Sequence, residues 1–576
     1  MSAVPPFAPR SQIARPDKSG TPTFDWSLTH TSLMDTVKLV TGPFNVLPII
    51  FVPGIMGSNL RSIKDGVAVW RLDATLGKPI GLLRSIASKG PGERQKMLHP
   101  DRCEVDDGGA LPSEVVGSVT SKEVYKERGW GTVGEGSYHS FLLWLEQQLN
   151  PAQRNPARWP DYYQDEATIS APPAPNAEPK LFPGIRMGMK GQPFHAERLP
   201  FTSIMTDDLI ARGKFHSPVH AVGYNWLASN DKAAAALGRK IVEIIRSYNK
   251  GQYRCEQVVL VTHSMGGLVA RACAKLPDMS SRIAGIVHGV MPAVGAAVAY
   301  RRCKLGMREE DFGAGLVIGS NGQEVTAVFA QAPGALQLLP SQRYGAHWLR
   351  VQAQGGQQEL SLPKAGSDPE ICDPYAEIYA VRDKWWGLIK DEWLAPQGGQ
   401  PINWDDYSKN LAQASAFHER LAKFYHPNTY SFYGADPKQK SFENMRWTIA
   451  RGIAPDAKAP PSMASVLSMA PSQVRMDGTN PSYVGGTTEV GSDLSGNAYV
   501  YQTSYWELHG DMQDGAGDGT VPQSSGAAPL KQGGAAIRQQ FKLTGFGHEP
   551  AYQDATAQRA ALYSITKIAG AAKKPA

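Results

Sequence analysis

The chain has 576 residues, an apolar fraction of 42% and a charged fraction of 19%. These proportions are ordinary for a water-soluble globular protein, and the length predicts two to four domains or one heavily elaborated domain. The formal net charge is only +6, and no basic stripe interleaved with aromatic residues is visible, which argues against a nucleic-acid partner.

The cysteines argue against two further classes of protein. They are widely spaced and form no C-x-x-C pair: Cys103, Cys255, Cys273, Cys303 and Cys372. This pattern is not typical of a disulfide framework or of a cysteine-rich zinc site. We expect neither a metal nor another cofactor.

The N-terminal segment 1–26 is proline-rich and polar, and it lacks the continuous apolar run of a secretory signal peptide. No stretch of the chain reaches the roughly 18 uninterrupted apolar residues of a transmembrane helix. We therefore expect a protein made in the cytoplasm without a signal peptide, whose export would need a route that reads no such signal. Residues 1–40 are predicted to be a loosely ordered arm.

Strand and helix patterns then alternate along the chain. Strands are predicted, in order, at 46–60 (ending in a glycine-rich loop), 218–226, 257–262, 283–290, 429–435 and 536–543. Helices are predicted at 231–251, with Asn230 as the cap, and at 268–276. Strands that alternate with helices at this spacing need crossover connections, so the pattern predicts an α/β fold with a mostly parallel sheet flanked by helices.

The remaining stretches are longer than a minimal sheet requires. We interpret them as cap or lid insertions in a discontinuous core. The core is predicted to comprise 41–60, 216–300, 426–436 and 506–570, and the insertions to comprise 61–215, 301–425 and 437–505.

The segment VVLVTHSMGGLVARA, residues 258–272, sets a serine between a buried strand and a helix. This arrangement is typical of the nucleophile elbow of α/β-hydrolases, with Ser264 as the nucleophile. The usual pattern is G-x-S-x-G, and here Thr262 stands in place of the first glycine. We expect Thr262 to be tolerated, and we expect the neighbouring His263 to pack within the elbow.

A serine nucleophile needs a base, and the base needs an acid that orients it, in the chain order Ser, Asp or Glu, His. Asp518 in GDGTVP and His548 in GFGHEP fit this order and lie in glycine-containing loops. His509 is an alternative base, although it precedes the acid loop. Asp511 and Asp514 are alternatives as the acid or, together with Asp518, as calcium ligands; otherwise they are solvated loop acids.

Acyl transfer also needs backbone N–H donors for the tetrahedral oxyanion. One donor is expected from Met265, directly after the nucleophile. The other is expected from the loop PGIMGS that follows the first strand, with Ile55 as the donor.

Together these motifs resemble a known family. FVPGIMGSNL, YNW, THSMGGLVAR, PGALQLLPS and GDGTVP occur in the order of similar motifs in the lecithin:cholesterol acyltransferase family, which includes lysosomal phospholipase A2 and plant phospholipid:diacylglycerol acyltransferases. The chain also resembles bacterial lipases related to the GPI inositol-deacylase, among them type VI secretion phospholipase effectors. The resemblance covers about half of the chain. It implies an α/β-hydrolase fold, the triad Ser264, Asp518 and His548, and the oxyanion donors Ile55 and Met265.

Two apolar segments suit a lipid substrate. Residues 384–395 would place Trp385, Ile389 and Trp393 on one face of a helix, which could lie at a bilayer interface or simply pack the cap onto the sheet. Residues 332–349 resemble the lid region of the family, with the same alternative of simple packing.

The sequence therefore predicts a serine lipase, specifically a phospholipase that hydrolyses acyl esters of membrane phospholipids through an acyl-enzyme on Ser264 and binds the membrane surface peripherally. The resemblance to type VI effectors implies antibacterial toxicity, a secretion-system carrier, delivery into the periplasm of a target cell and a cognate immunity protein. The alternatives are a lipid acyltransferase that uses the same triad and a non-catalytic binding module.

Overall fold

Six parallel strands form the centre of the molecule in the computed structural model. The structure describes residues 10–13, 15–16, 22–23, 37–40, 44–71, 88–112, 121–150, 195–199, 201–202, 204–310, 319–353, 358–368, 370–450, 462–484, 488–492, 498–502 and 506–573. The strands of the central sheet are β1 (Ile49–Val52), β2 (His195–Ala196), β3 (Val219–Ala221), β4 (Val258–His263), β5 (Ile283–Gly289), β6 (Thr429–Gly434) and β7 (Ile537–Leu543).

The strand order across this sheet is β2-β7-β6-β5-β4-β1-β3. Every neighbouring pair is parallel except β2 with β7, which is antiparallel at the edge. All residues of β4 and β5 are buried, which explains their continuous apolar runs, because a parallel sheet is covered on both faces. The predicted α/β fold with a mostly parallel sheet is confirmed.

Helices cover both faces of the sheet. They are α1 (Pro91–Met97), α2 (Lys122–Glu127), α3 (Glu135–Leu149), α4 (Thr206–Gly213), α5 (Asn230–Tyr248), α6 (Gly266–Ala274), α7 (Met279–Arg282), α8 (Val298–Leu305), α9 (Gly322–Phe329), α10 (Pro333–Leu336), α11 (Trp404–Leu421), α12 (Met463–Ser468), α13 (Gln523–Gly533) and α14 (Ala555–Ala571). Side chains of α5 and α6 share one hydrophobic core with Ile50 and Leu260, whereas α3, α4 and α14 share the other with Phe51 and Val261.

Further strands lie outside the central sheet. Six form a second sheet, in the order Gln358–Leu362, Leu349–Ala353, Met445–Ala450, Trp506–Gly510, Ser482–Val484 and Val474–Arg475. Smaller groups are Leu60–Ser62 with Ala68–Trp70 and Cys103–Val105, Asn45–Val46 with Phe215–His216, Asp436–Ser441 with Gly515–Gly517, Thr488–Ser492 with Ala498–Gln502, Arg10–Ile13 with Val37–Val40, and Arg15–Pro16 with Pro22–Thr23.

Two elements of segment 61–215, which was predicted to be a cap insertion, pack against the central sheet. The segment supplies the edge strand β2 and the helix α3, whose side chains share a hydrophobic core with one face of the sheet. The reason is aromatic packing, since the ring of Phe141 on α3 lies 4.2 Å from that of Tyr552 and 5.9 Å from that of Phe51.

The helix predicted for residues 384–395 is wrong. The described backbone there forms turns and bends followed by a short 3-10 helix at Asp391–Trp393. Trp385, Ile389 and Trp393 are buried, and the indole N–H of Trp385 donates to the carbonyl of Val466 at 2.8 Å. These side chains pack the cap and are not available to a bilayer surface.

One smaller expectation is corrected, and for a second segment the structure favours one of the two alternatives, simple packing. The cap of α5 is Ser229, whose hydroxyl accepts from the N–H of Asp231, while Asn230 is the buried first residue of the helix. The lid-like segment 332–349 begins with the buried helix α10. There Gln337 joins the core by accepting from the N–H of Asn230 at 2.8 Å and donating to the hydroxyl of Ser229 at 3.1 Å.

Burial of histidine rings makes stability depend on pH. Burial lowers the pKa of His263 and of His288 to about 3, and that of His418 to about 4. An unfolded histidine titrates near pH 6.5, so below that pH the unfolded chain binds protons that the folded chain does not. Their stabilising contribution is therefore present above about pH 6.5 and is lost as the pH falls towards 4.

We predict that acid destabilises the protein, by about 1 kcal/mol per pH unit for each of these histidines between pH 6 and 4. Replacement His418→Gln should reduce the pH dependence of the free energy of unfolding by the contribution of one histidine, about 1 kcal/mol per pH unit. Urea unfolding at several pH values measures it, with His347→Asn at an exposed position as the control. A slope unchanged in His418→Gln would contradict the prediction.

Candidate active site

Ser264 lies at a sharp turn between β4 and α6. Its φ is 52°, a left-handed conformation that costs a non-glycine residue of order 1–3 kcal/mol. The turn is held because the N–H of Ser264 donates to the carbonyl of Gly289 at the end of β5, at 2.9 Å. The turn places the serine side chain at the carboxyl ends of the sheet strands.

The turn requires glycine at two positions that contact it, Gly266 in α6 and Gly54 in the loop after β1. A Cβ at Gly266 would lie 2.4 Å from the carbonyl oxygen of Pro53, and a Cβ at Gly54 would lie 3.0 Å from the Cβ of Ser264. The loop after β1 and the first turn of α6 therefore touch through their backbones. This contact sets the loop PGIMGS directly beside the serine.

Three of the residues predicted for the site form a continuous hydrogen-bonded series. Nε2 of His548 lies 2.8 Å from Oγ of Ser264, and Nδ1 lies 2.8 Å from Oδ2 of Asp518. Because a carboxylate only accepts, Nδ1 of His548 carries the proton, and Nε2 of the neutral ring accepts from the serine hydroxyl. The series has the geometry of a nucleophile, a base and an orienting acid.

The carboxylate of Asp518 is buried and fixed by its own loop. Its Oδ1 accepts from the N–H groups of Thr520 at 3.1 Å and Val521 at 2.7 Å, which leaves Oδ2 for His548. Gly434, the last residue of β6, makes room for this carboxylate, since a Cβ there would lie 2.6 Å from the Cβ of Asp518. A fixed carboxylate can hold the imidazole in one orientation and stabilise its protonated form.

The two expected oxyanion donors follow Gly54 and Ser264 directly in the chain. Ile55 is half-buried in the loop after β1, and Met265 is fully buried at the start of α6. Within the part of the chain that the structure describes, the backbone N–H of neither residue is donated to a protein acceptor.

The loop that carries Ile55 is fastened at several points. The hydroxyl of Tyr224 donates to the carbonyl of Pro53 at 3.0 Å, and the indole of Trp70 donates to the carbonyl of Met56 at 2.7 Å. The N–H of Gly54 donates to the hydroxyl of Tyr138 at 3.2 Å. Tyr138 carries no sequence signal, because it lies on α3 in a segment predicted to be an insertion.

The alternative site residues have other partners. The ring of His509 lies on a strand of the second sheet, where Nε2 is 2.8 Å from a carboxylate oxygen of Glu507. Asp514 accepts from the N–H groups of Glu443 and Asn444 at 3.0 and 3.1 Å. Asp511 accepts from the hydroxyl of Thr448 at 3.1 Å. Among the described residues there is no group of three or more His, Cys, Asp or Glu side chains arranged to hold a metal ion.

Comparisons with known proteins agree with this fold. The sequence profile of the family described as "PGAP1-like alpha/beta domain" matches residues 231–306, which cover α5 from its second residue and the whole of β4, α6 and β5. The chain is also similar to one chain of a structure entitled "The crystal structure of Tle4-Tli4 complex", with 29% sequence identity and a TM-score of 0.66 over 91% of this chain and 98% of that chain. These two matches confirm the resemblance that the motifs predicted.

Other comparisons add little. "Phospholipase PlaB from Legionella pneumophila" aligns at 10% identity over 49% of this chain and 69% of that chain, with a TM-score of 0.12, too low to carry an argument. The curated proteins contain no match to this chain. No helix in the described ranges is long and apolar enough to cross a membrane.

The backbone contact at Gly266 yields a prediction. Replacement Gly266→Ala should push the loop at Pro53 away from the serine, costing about 1–3 kcal/mol of stability as in other overpacked sites and slowing the labelling of Ser264 by a fluorophosphonate. Thermal unfolding and labelling rates measure both effects.

The matched control is Gly570→Ala on α14, where the nearest atom to the added methyl is a side-chain oxygen of Asp208 at 3.3 Å. This control should keep the wild-type labelling rate. Wild-type stability and labelling in Gly266→Ala would show that the loop does not depend on this contact.

Proposed function

We propose that this protein is a serine lipase, specifically a phospholipase that cleaves acyl esters of membrane phospholipids. The observation that carries the proposal is the hydrogen-bonded series from Ser264 through His548 to Asp518, with 2.8 Å at each step. The similarity to the PGAP1-like domain and to the Tle4-Tli4 structure supports an enzyme of the lipase and phospholipase type.

In the proposed reaction, Oγ of Ser264 attacks the acyl carbon as its proton moves to Nε2 of His548. The carboxylate of Asp518 stabilises the imidazolium that forms. The imidazolium then gives the proton to the departing alcohol oxygen as the carbon–oxygen bond of the ester breaks, which leaves the acyl group on Ser264. A water molecule, deprotonated by His548, releases the fatty acid and restores the serine hydroxyl.

We propose the backbone N–H groups of Ile55 and Met265 as the donors that stabilise the oxyanion. Their freedom from protein acceptors in the described structure supports this role. Each such donor is worth about 3 kcal/mol of transition-state stabilisation. The fastening of the loop by Tyr224 and Trp70 means that little reorganisation is needed when the charge develops.

The proposed setting is a membrane surface to which the enzyme binds peripherally. The similarity between this chain and the Tle4-Tli4 structure, whose title reports a complex, motivates the further proposal of a cognate protein partner. Together with the motif resemblance to type VI secretion phospholipase effectors, it supports an antibacterial effector delivered into target cells and neutralised by an immunity protein in the producing cell.

The first test of this proposal compares two histidines. Replacement His548→Ala should reduce hydrolysis of a 4-nitrophenyl ester by about 10⁴-fold, because the base is lost. Ser264→Ala should abolish labelling by a fluorophosphonate. The control His509→Ala, whose ring pairs with Glu507 instead, should keep most of the activity. Loss of activity in the control with retention in His548→Ala would overturn the assignment.

The second test identifies the products. Incubation of the protein with phosphatidylethanolamine and phosphatidylglycerol vesicles should release free fatty acid and lysophospholipid in a Ser264-dependent manner, as measured by mass spectrometry. Added glycerol should not divert the acyl group. Accumulation of glycerol esters would indicate a lipid acyltransferase, and no Ser264-dependent product or labelling would indicate a binding module.

A further inference from the structure

His263, the neighbour of the proposed nucleophile, bridges two loops of the site. Its Nε2 lies 2.9 Å from the backbone carbonyl oxygen of His548, and its Nδ1 lies 3.1 Å from the hydroxyl of Tyr138. The same hydroxyl accepts from the backbone N–H of Gly54 at 3.2 Å. His263 is therefore not a spare base facing substrate, because both of its ring nitrogens are engaged inside the protein.

The donor and acceptor of each hydrogen bond in this series can be assigned by starting from the carbonyl oxygen of His548. A carbonyl oxygen only accepts, so Nε2 of His263 carries the proton and donates to His548. Nδ1 of the neutral ring then accepts, which requires the hydroxyl of Tyr138 to donate to it. The tyrosine oxygen in turn accepts from Gly54. The Gly54 N–H, the Tyr138 hydroxyl, the His263 ring and the His548 carbonyl thus form one series of hydrogen bonds, in which the donor of every bond is defined.

Burial keeps this arrangement constant. His263 is 3% exposed, and burial lowers its pKa to about 3, so the ring stays neutral near pH 7. The ring of Tyr138 packs 4.9 Å from that of Phe51 and 5.5 Å from that of His263. Both rings are therefore buried and in contact with neighbouring rings.

We propose that Tyr138 and His263 are positioning residues that set the distance between the oxyanion loop at Gly54 and the backbone of His548. This inference rests on the proposed function, since it assigns a role within that same site. Gly54 directly precedes the proposed donor Ile55, and the His548 carbonyl belongs to the proposed base. Ser264 lies between the two loops, so the series spans the space in which the tetrahedral carbon would sit.

A second contact supports the coupling. The hydroxyl of Tyr552, four residues after His548, donates to the carbonyl of Thr262 at 2.9 Å. The His548 loop is therefore fastened to β4 at Thr262 and to the oxyanion loop through His263 and Tyr138. The contact of Tyr552 with Thr262 sets the position of the His548 loop relative to β4. The series through His263 and Tyr138 sets its distance from the proposed oxyanion donors.

The test uses Tyr138→Phe, which removes one oxygen and keeps the ring packing, and His263→Gln, whose amide can still donate to His548. With a soluble 4-nitrophenyl butyrate, each variant should lower kcat by about 10- to 100-fold, the effect expected for a displacement near 1 Å. KM should change less than twofold. The rate of phosphonylation by a fluorophosphonate should fall in parallel with kcat, because its P=O group occupies the same oxyanion site.

The matched control is Tyr407→Phe, which likewise removes one buried hydroxyl; this hydroxyl donates to the backbone carbonyl of Tyr379 at 2.8 Å, outside the site. It should lower the melting temperature by a similar amount and leave kcat unchanged. The double variant Tyr138→Phe with His263→Gln should be no slower than the slower single variant, because both break one series.

Three results would overturn the inference: wild-type kcat in Tyr138→Phe, a change in KM alone, or independent effects that multiply in the double variant. Failure of the proposed function is seen separately. In that case wild-type protein and Ser264→Ala would hydrolyse the ester equally, and the inference would fall with the function.

Discussion

The close contact between the first turn of α6 and the loop after β1 is the constraint on which the site depends. Gly266 meets the carbonyl of Pro53 at a distance that no side chain would permit. This contact exists only because β1 and β4 are neighbours in register, with Val52 opposite Thr262. β1 and β4 are far apart in sequence, and their pairing places the serine and the proposed oxyanion loop next to each other.

Thr262 shows how the elbow accommodates a departure from the usual glycine. Its side chain is fully buried, and its hydroxyl lies 3.0 Å from Nδ1 of His288 on the neighbouring strand β5. Burial lowers the pKa of His288 to about 3, so the neutral ring can accept from the threonine. The space beside β4 is filled by a polar pair within the sheet, and the contact between α6 and β1 remains unobstructed.

The sequence predicted the central sheet and the hydrogen-bonded series of the site better than it predicted the cap. The buried runs of β4 and β5 and the glycine-containing loops at Ser264, Asp518 and His548 depend on local patterns, which a sequence displays directly. Tyr138 could not be found in this way, because its contacts with Gly54 and His263 come from the packing of α3 against one face of the sheet. The turn at Trp385 was also not predicted, because it depends on a residue distant in sequence. Buried Lys304 donates to the carbonyls of Trp385 and Gly387 at 2.7 and 2.8 Å, so these carbonyls are not free to accept helical hydrogen bonds.

The long excursion between β6 and Asp518 does not loosen the acid, because its two ends are tied together. Strand Asp436–Ser441, which leaves β6, pairs antiparallel with Gly515–Gly517, which precedes Asp518. The hydroxyl of Ser441 donates to the carbonyl of Val521 and accepts from the N–H of Gly519, both at 3.1 Å. The carboxylate is thus positioned relative to β6 and not relative to the distant parts of the insertion.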